Sequence, residues 1–252
     1  MSRPLVLYVL TAALRDRLVM AMIITLVVGT SLAVFLGSAA IAEKQQFAMV
    51  FAGAGLRLAG VLGLVLFTVF FIRRSFDARD VDFILSRPVS RVEFLLSYAA
   101  GLSLLALGMA AAQTLCLYII GGNLFGPSHI SWAVSLAFEN IIMVNTALFF
   151  SMILSSAATA ATATAGFYIL ARLMGQLLGI IDSTGKGTFI YSLMEYILQA
   201  ISAVMPRLDL MAQTSWLIYS QTVEINSILL QGAIFTILIV TAALIDLVRR
   251  QF

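Results

Sequence analysis

The feature that most constrains this chain is a series of long apolar runs without charged side chains. The clearest of them covers residues 19–42. About 20 consecutive apolar residues are enough for a helix to cross the hydrocarbon core of a bilayer. The chain of 252 residues is 62% hydrophobic and only 11% charged, whereas soluble domains carry about 25% charged residues. The sequence therefore predicts an integral membrane protein of the all-α class.

Six apolar runs predict six transmembrane helices in a single membrane domain that covers residues 1–252. The predicted spans are residues 19–42, 56–72, 94–120, 132–155, 159–181 and 225–248. The last two spans before residue 182 form one apolar block, which is too long for a single span. We expect a tight turn in its middle, at Ser155, Ser156 and the small residues that follow.

Two further pieces are apolar but do not fit a simple span. Residues 1–17 are interrupted by charges and are expected to form an N-terminal helix in the membrane interface; a plain extension of the first span is the alternative. Residues 183–224 are expected to form an outer re-entrant or interfacial segment before the last span. Both pieces contain too few apolar residues in a row to cross a bilayer comfortably.

Positive charges set the expected orientation, because they concentrate on the cytoplasmic side of membrane proteins. With six spans, both chain ends lie on one side together with most of the arginines. We therefore expect a multi-pass protein of the bacterial cytoplasmic (inner) membrane, with N- and C-termini in the cytoplasm. The net charge of +3 comes from arginines beside apolar runs, which is typical of contact with membrane lipid and does not indicate nucleic-acid binding.

Residues 75–93, between the second and third predicted spans, form a segment that we call the charged linker. Ser90 and Glu93 have the spacing of a capping box that begins the third span. Pro88 disfavours a helical conformation at Arg87. We expect a short amphipathic helix, a proline break and a capped membrane helix, an arrangement that can pass a push from a cytoplasmic partner into two spans. A solvated loop that follows the positive-inside rule is the alternative.

The stretch FILSRPVSRVEFLL, residues 83–96, resembles the region between spans two and three of ABC-2 type ABC-transporter permeases. In that family an acidic residue, a leucine-rich turn, a serine, a proline and a basic residue precede a hydrophobic helix. The six-span layout, the N-terminal helix and the outer segment are also similar to the family. The chain departs from it at Val81-Asp82, where the family often has Gly-Thr, and at Ser97-Tyr98, where it often has Gly-Lys.

The resemblance implies a permease subunit of an ATP-binding-cassette transporter that exports an amphipathic or lipid-like substrate. Its partners would be a second permease subunit, identical or related, and a soluble nucleotide-binding ATPase subunit that binds ATP and Mg. The charged linker would contain the coupling helix that docks into this ATPase. The candidate contact residues are Asp77, Arg79, Asp80, Asp82, Ser86, Arg87, Pro88, Ser90, Arg91 and Glu93.

The chain offers no residues for catalysis of its own. A Walker A loop requires the spacing G-x-x-x-x-G-K-[ST], and the nearest approach, from Gly179 to Lys186, does not have it. One histidine and one cysteine cannot build a haem site or a cysteine-based metal cluster. We therefore expect no enzymatic activity, no cofactor and no metal in this chain, and the energy for transport must come from another polypeptide.

Three ionisable residues lie inside apolar runs: Arg57, Glu139 and Arg172. Such residues are costly in a membrane and usually face a bundle interior or a water-filled path. They are expected either to line the outer end of a transport path or to form a structural ion pair, with Arg57 reaching the interface as a further alternative.

Two other classes of function compete with the transporter subunit. A secondary transporter or channel would need internal repeats or broken helices, and no convincing repeat is found in the sequence. A membrane anchor subunit of an enzyme complex would need cofactor ligands, which the sequence does not supply.

Overall fold

The structure is a computed structural model that describes residues 2–41, 43–78, 90–183, 189–219 and 225–249. Within these ranges the chain is helical and contains no strand. Six of the helices are long and apolar enough to cross a membrane. The predicted all-α class and the predicted number of membrane-length helices are therefore confirmed, and the fold is that of a multi-pass membrane protein.

The helices follow one another along the chain and are numbered here in that order. They are α1 (Arg3–Arg15), α2 (Arg17–Ala39), α3 (Lys44–Asp77), α4 (Arg91–Gly121), α5 (Pro127–Ile153), α6 (Ala157–Ser183), α7 (Phe189–Val204) and α8 (Ile225–Arg249). The membrane-length helices are α2, α3, α4, α5, α6 and α8. Between α7 and α8 the chain forms two short 3-10 turns, Leu208–Leu210 and Thr214–Leu217.

Local sequence explains where several helices begin. Asp16 separates α1 from α2, and its Oδ1 accepts a hydrogen bond of 2.8 Å from a backbone N–H in the first turn of α2. Ser90 has the same role for α4: its Oγ accepts a hydrogen bond of 3.1 Å from the Glu93 N–H, as the capping-box spacing predicts. Pro4 and Pro127 lie in the first turns of α1 and α5, where the missing N–H has no intrahelical partner to lose.

Helix α3 is longer than the second predicted span. It begins at Lys44 instead of residue 56 and continues through Gly53 and Gly55 to Asp77. Glycine lowers helix stability by about 1 kcal/mol in water, but transmembrane helices tolerate it, so these glycines do not end the helix. At Gly53 an added Cβ would collide with the Leu217 side chain, so the glycine allows the segment after α7 to pack closely on α3.

Helix α5 is the centre of the bundle. It contacts α3, α4, α6 and α8, and large apolar side chains such as Trp132, Leu136 and Met143 are fully buried along it. Helices α2, α6 and α8 lie at the periphery, and only 22% of the residues in the most apolar stretch of each are buried. Acyl chains are as apolar as these side chains, so the outer surface is suited to contact with lipid.

A buried amide joins three helices in the middle of this core. The Gln113 Nε2 of α4 donates a hydrogen bond of 2.7 Å to the Leu56 carbonyl of α3, and its Oε1 accepts one of 3.2 Å from Asn140 Nδ2 of α5. The Gln113 and Asn140 side chains are fully buried. Gly60 of α3 faces this amide, and an added Cβ would collide with Gln113. The network therefore needs glycine at residue 60.

We predict that Gly60→Ala lowers the thermal unfolding temperature of the detergent-solubilised protein. The methyl group displaces the Gln113 amide, and a buried polar group without its partner costs about 1–3 kcal/mol. Gly55→Ala is the matched control, because the same change in the same helix meets open space and keeps only the gain in helix propensity. Equal unfolding temperatures for the two variants would contradict the proposed role of Gly60.

Candidate functional site

The end of α3 and the start of α4, which the charged linker connects, lie at one end of the bundle, which we call the charged end. Arg73, one turn before the end of α3, reaches the C-terminus of α5 there. Its Nη1 donates to the Leu154 carbonyl at 3.2 Å, and its Nη2 donates to the Ser155 carbonyl at 2.5 Å. The Asp77 carboxylate lies 3.3 Å from the same Nη2. Arg73 thus covers carbonyl groups that a helix leaves unpaired at its C-terminus.

Two more arginines tie neighbouring elements together at the charged end. Arg74 lies 3.5 Å from the carboxylate of Asp16, the residue between α1 and α2. Arg91, the first residue of α4, donates from Nη1 to the Leu247 and Val248 carbonyls at 3.1 and 3.2 Å, at the C-terminus of α8. A cation at a helix C-terminus is favoured by the helix dipole. Together with Arg73, these two arginines join the end of α3 and the start of α4 to the corner between α1 and α2, to α5 and to α8.

The candidate ATPase contacts from the sequence fall into two groups. Asp77, Ser90, Arg91 and Glu93 lie at the charged end, where Arg91 and Asp77 make the contacts described above and the Ser90 side chain caps α4. The remaining candidates lie outside the described residues: Arg79, Asp80, Asp82, Ser86, Arg87 and Pro88. Asp77 is 70% exposed despite its contact with Arg73, so its carboxylate is accessible at the surface of the charged end.

At the opposite end of the bundle, residues 205–219 fold over the helix ends; we call them the cap segment. Ala212 makes three of the hydrogen bonds that join the cap segment to the helices. Its carbonyl accepts hydrogen bonds from Arg57 Nη1 of α3 at 2.6 Å and from Trp132 Nε1 of α5 at 3.1 Å. Its N–H donates to Ser135 Oγ at 2.9 Å. The residue is fully buried, so α3 and α5 hold the cap segment through its backbone.

Arg172 of α6 holds the cap segment from the other side. Its Nη1 donates to the Leu208 carbonyl and, at 2.8 Å, to the Met211 carbonyl. Within the cap segment, Arg207 and Asp209 form a two-bonded ion pair with N···O distances of 2.9 and 2.8 Å. This hydrogen bonding to the Asp209 carboxylate raises the pKa of Arg207. The cap segment therefore presents carbonyl oxygens to the bundle and satisfies its own charges.

Glu139 lies beneath these contacts, in the middle of α5. Its side chain is fully buried. Its Oε1 accepts a hydrogen bond of 3.0 Å from the Tyr168 hydroxyl, and its Oε2 lies 3.7 Å from Arg172 Nη1. Arg172 thus stands between a buried carboxylate and the cap carbonyls. An isolated charge would be costly at this depth, and the ion pair with Arg172 offsets that cost.

The structure brings together all three intramembrane residues that the sequence singles out, Arg57, Glu139 and Arg172, beneath one cap segment. Sequence reasoning missed their partners, which have a recognisable spacing. Trp132, Ser135 and Glu139 follow one another at i, i+3 and i+7, and Tyr168 lies four residues before Arg172, so each set shares one helix face. Among the described residues, no group of His, Cys, Asp and Glu is arranged to hold a metal ion.

No protein-family model matches the chain, and a search of curated proteins finds no match.

We predict that Arg172→Gln destabilises the protein strongly, because it leaves Glu139 buried without its ion-pair partner. Breaking one side of a buried pair costs about 3–5 kcal/mol. The double variant Arg172→Gln with Glu139→Gln should unfold at a higher temperature than Arg172→Gln alone. The measurement is a double-mutant cycle on thermal unfolding in detergent, with exposed Arg3→Gln as the control for loss of a charge. Additive effects of the two substitutions would show that the pair is not coupled.

Proposed function

We propose that this chain is the permease subunit of an ATP-binding-cassette transporter of the ABC-2 type. It exports an amphipathic or lipid-like substrate across a bacterial cytoplasmic membrane, with both termini in the cytoplasm. The resemblance of residues 83–96 to that family suggests the class, and the six membrane-length helices agree with it. The observation that carries the proposal is the way in which the helix ends around the charged linker are tied together.

These contacts couple the linker mechanically to several membrane-length helices. A partner that moves the linker displaces the end of α3 and the start of α4. Arg73 and Arg74 pass the displacement of α3 to the C-terminus of α5 and to the corner between α1 and α2. Arg91 passes the displacement of α4 to α8. A push on one short segment therefore acts on several membrane-length helices at once, which a subunit driven from outside requires.

Helix α3 carries this displacement to the cap segment. Arg57 and Arg73 lie on the same uninterrupted helix, about 24 Å apart at a rise of 1.5 Å per residue. Arg57 holds the Ala212 carbonyl, while Arg172 of α6 holds the Leu208 and Met211 carbonyls. A shift of α3 against α6 pulls these anchors apart. In the proposed transporter this opens the cap segment over the polar groups at the exit of the path.

The chemistry in this assembly belongs to the partner. The separate ATPase subunit binds ATP and Mg and hydrolyses ATP, while this chain forms no covalent intermediate and has no active site of its own. A second permease subunit, identical or related, completes the membrane part of the complex. The substrate passes by alternating access, as in other transporters.

A secondary transporter or channel is the second candidate. The observation that favours it is the buried carboxylate of Glu139 beside Arg172 and Tyr168, because intramembrane acids are common in proton-coupled and ion-coupled carriers. Transport by the purified chain alone in liposomes, driven by an ion gradient, would establish this class. Dependence on a soluble ATPase would exclude it.

The decisive test of the ABC-type proposal is co-purification from native membranes. We predict that a soluble P-loop ATPase co-purifies with the tagged chain. The double variant Asp80→Lys with Arg87→Glu should abolish binding of the ATPase and ATP turnover by the complex, while membrane insertion of the chain stays normal. The linker is the expected docking segment, so a swap of its charges removes the electrostatic complementarity between the linker and the ATPase surface.

The matched control is Glu43→Lys with Lys44→Glu, which swaps two exposed charges between α2 and α3 without changing the net charge. This variant should retain the ATPase and its turnover. Full ATPase binding and turnover in the linker variant would overturn the docking role of the linker. Movement of substrate by the purified chain without any ATPase would overturn the proposed function as a whole.

A further inference from the structure

A second site lies outside the groups discussed so far, in an apolar groove between α1, α2, α3 and α4. The groove has a volume of about 370 Å³, within the range of ~300–1,000 Å³ typical of small-molecule pockets. Leu14 of α1 and Ile23 of α2 form one wall, and Leu104 and Gly108 of α4 form another. All of these residues are apolar, so the groove is suited to a hydrocarbon chain.

The groove is open enough to be filled. An added Cβ at Gly108 would find no atom within 4 Å. Leu14 is 75% exposed and Leu104 is 47% exposed. The lining residues of α4 run from Leu104 to Ala112, which corresponds to about 12 Å along the helix at 1.5 Å per residue. The groove is thus an elongated furrow on the surface of the bundle, beside the peripheral helix α2.

A cluster of positive charge lies where the groove meets the corner between α1 and α2. Arg15 and Arg17 are exposed; Arg15 directly follows the lining residue Leu14, and Arg17 lies two residues before the lining residue Val19. Arg74 also reaches this corner, because its guanidinium lies 3.5 Å from Asp16. Asp16 is already occupied by Arg74 and by the N-cap hydrogen bond of α2. Among the described residues that form this corner, three arginines and one carboxylate give a net positive charge.

We propose that this groove is a binding site for an anionic phospholipid. One acyl chain lies in the groove along α4, and the phosphate lies at the corner among Arg15, Arg17 and Arg74. An anionic phospholipid provides both features that the site requires, an apolar chain and a negative headgroup at its end. The bound lipid packs α1 against α2 and α4 and fixes the corner that Arg74 ties to α3. The inference does not depend on the proposed transport function.

The headgroup is tested by native mass spectrometry of the full chain in mild detergent, with added phosphatidylglycerol or phosphatidylcholine. Phosphatidylglycerol should be retained preferentially. Arg15→Gln with Arg17→Gln should weaken its retention roughly thirtyfold, since each of the two basic residues near an anionic surface contributes about 1 kcal/mol. The charge-matched control is Arg3→Gln with Arg249→Gln, two exposed arginines away from the corner, and it should retain the lipid as the unaltered chain does.

The position of the acyl chain is tested separately with Gly108→Phe, which adds a ring to the groove at a residue where an added Cβ meets open space. The matched control is Gly166→Phe on α6, where an added Cβ also meets open space outside the groove. Gly108→Phe should lower phosphatidylglycerol retention at an unchanged unfolding temperature, and Gly166→Phe should not.

Three outcomes would overturn the proposal. Equal retention of the two lipids would show that the arginine corner does not select a negative headgroup. Undiminished retention of phosphatidylglycerol by Gly108→Phe would show that the acyl chain of the lipid does not lie in the groove. A change from dimer to monomer in that variant, with lipid retention unchanged, would show that a second copy of this chain covers the groove.

Discussion

The structure depends on one constraint: a polar group inside this bundle must find its partner within the protein, because hydrocarbon offers none. The constraint explains why Arg172 stands between the Glu139 carboxylate and the cap carbonyls. It also explains why Gln113 links three helices at the only kind of residue, a glycine, that leaves room for its amide. Apolar packing brings the helices together, and these polar contacts set how the helices are rotated about their axes.

Much of the fold follows from the sequence, while the site follows only in part. Runs without charge mark the membrane-length helices, and the Ser90–Glu93 spacing marks the start of α4. The pairing of Glu139 with Arg172 depends on the rotation of α5 against α6, which one sequence does not contain. The contacts of the cap segment cannot be predicted from the sequence, because the groups that bind Arg57 and Arg172 are backbone carbonyls. Every residue has a backbone carbonyl, so no residue type marks the ones that make these contacts.

The two ends of the bundle are connected by a helix whose length the sequence underestimated. Residues 44–55 contain the small residues Gly53 and Gly55, which in a soluble protein are typical of a helix end. In this bundle they continue α3 and let Leu217 of the cap segment pack against it. As a result, the helix that leads into the linker at one end also contacts the cap segment in its other half, and the proposed mechanical route requires no additional element.

The backbone of Ala212 is in a left-handed conformation, with a φ of +43°. A residue with a side chain pays about 1–2 kcal/mol for this left-handed conformation. The contacts with Arg57, Trp132 and Ser135 keep it there. Once these contacts break, the backbone relaxes to an ordinary conformation that no longer presents the same N–H and carbonyl directions. The strain at Ala212 therefore opposes the hydrogen bonds that hold the cap segment in place, and it lowers the free energy needed to detach this segment from the bundle.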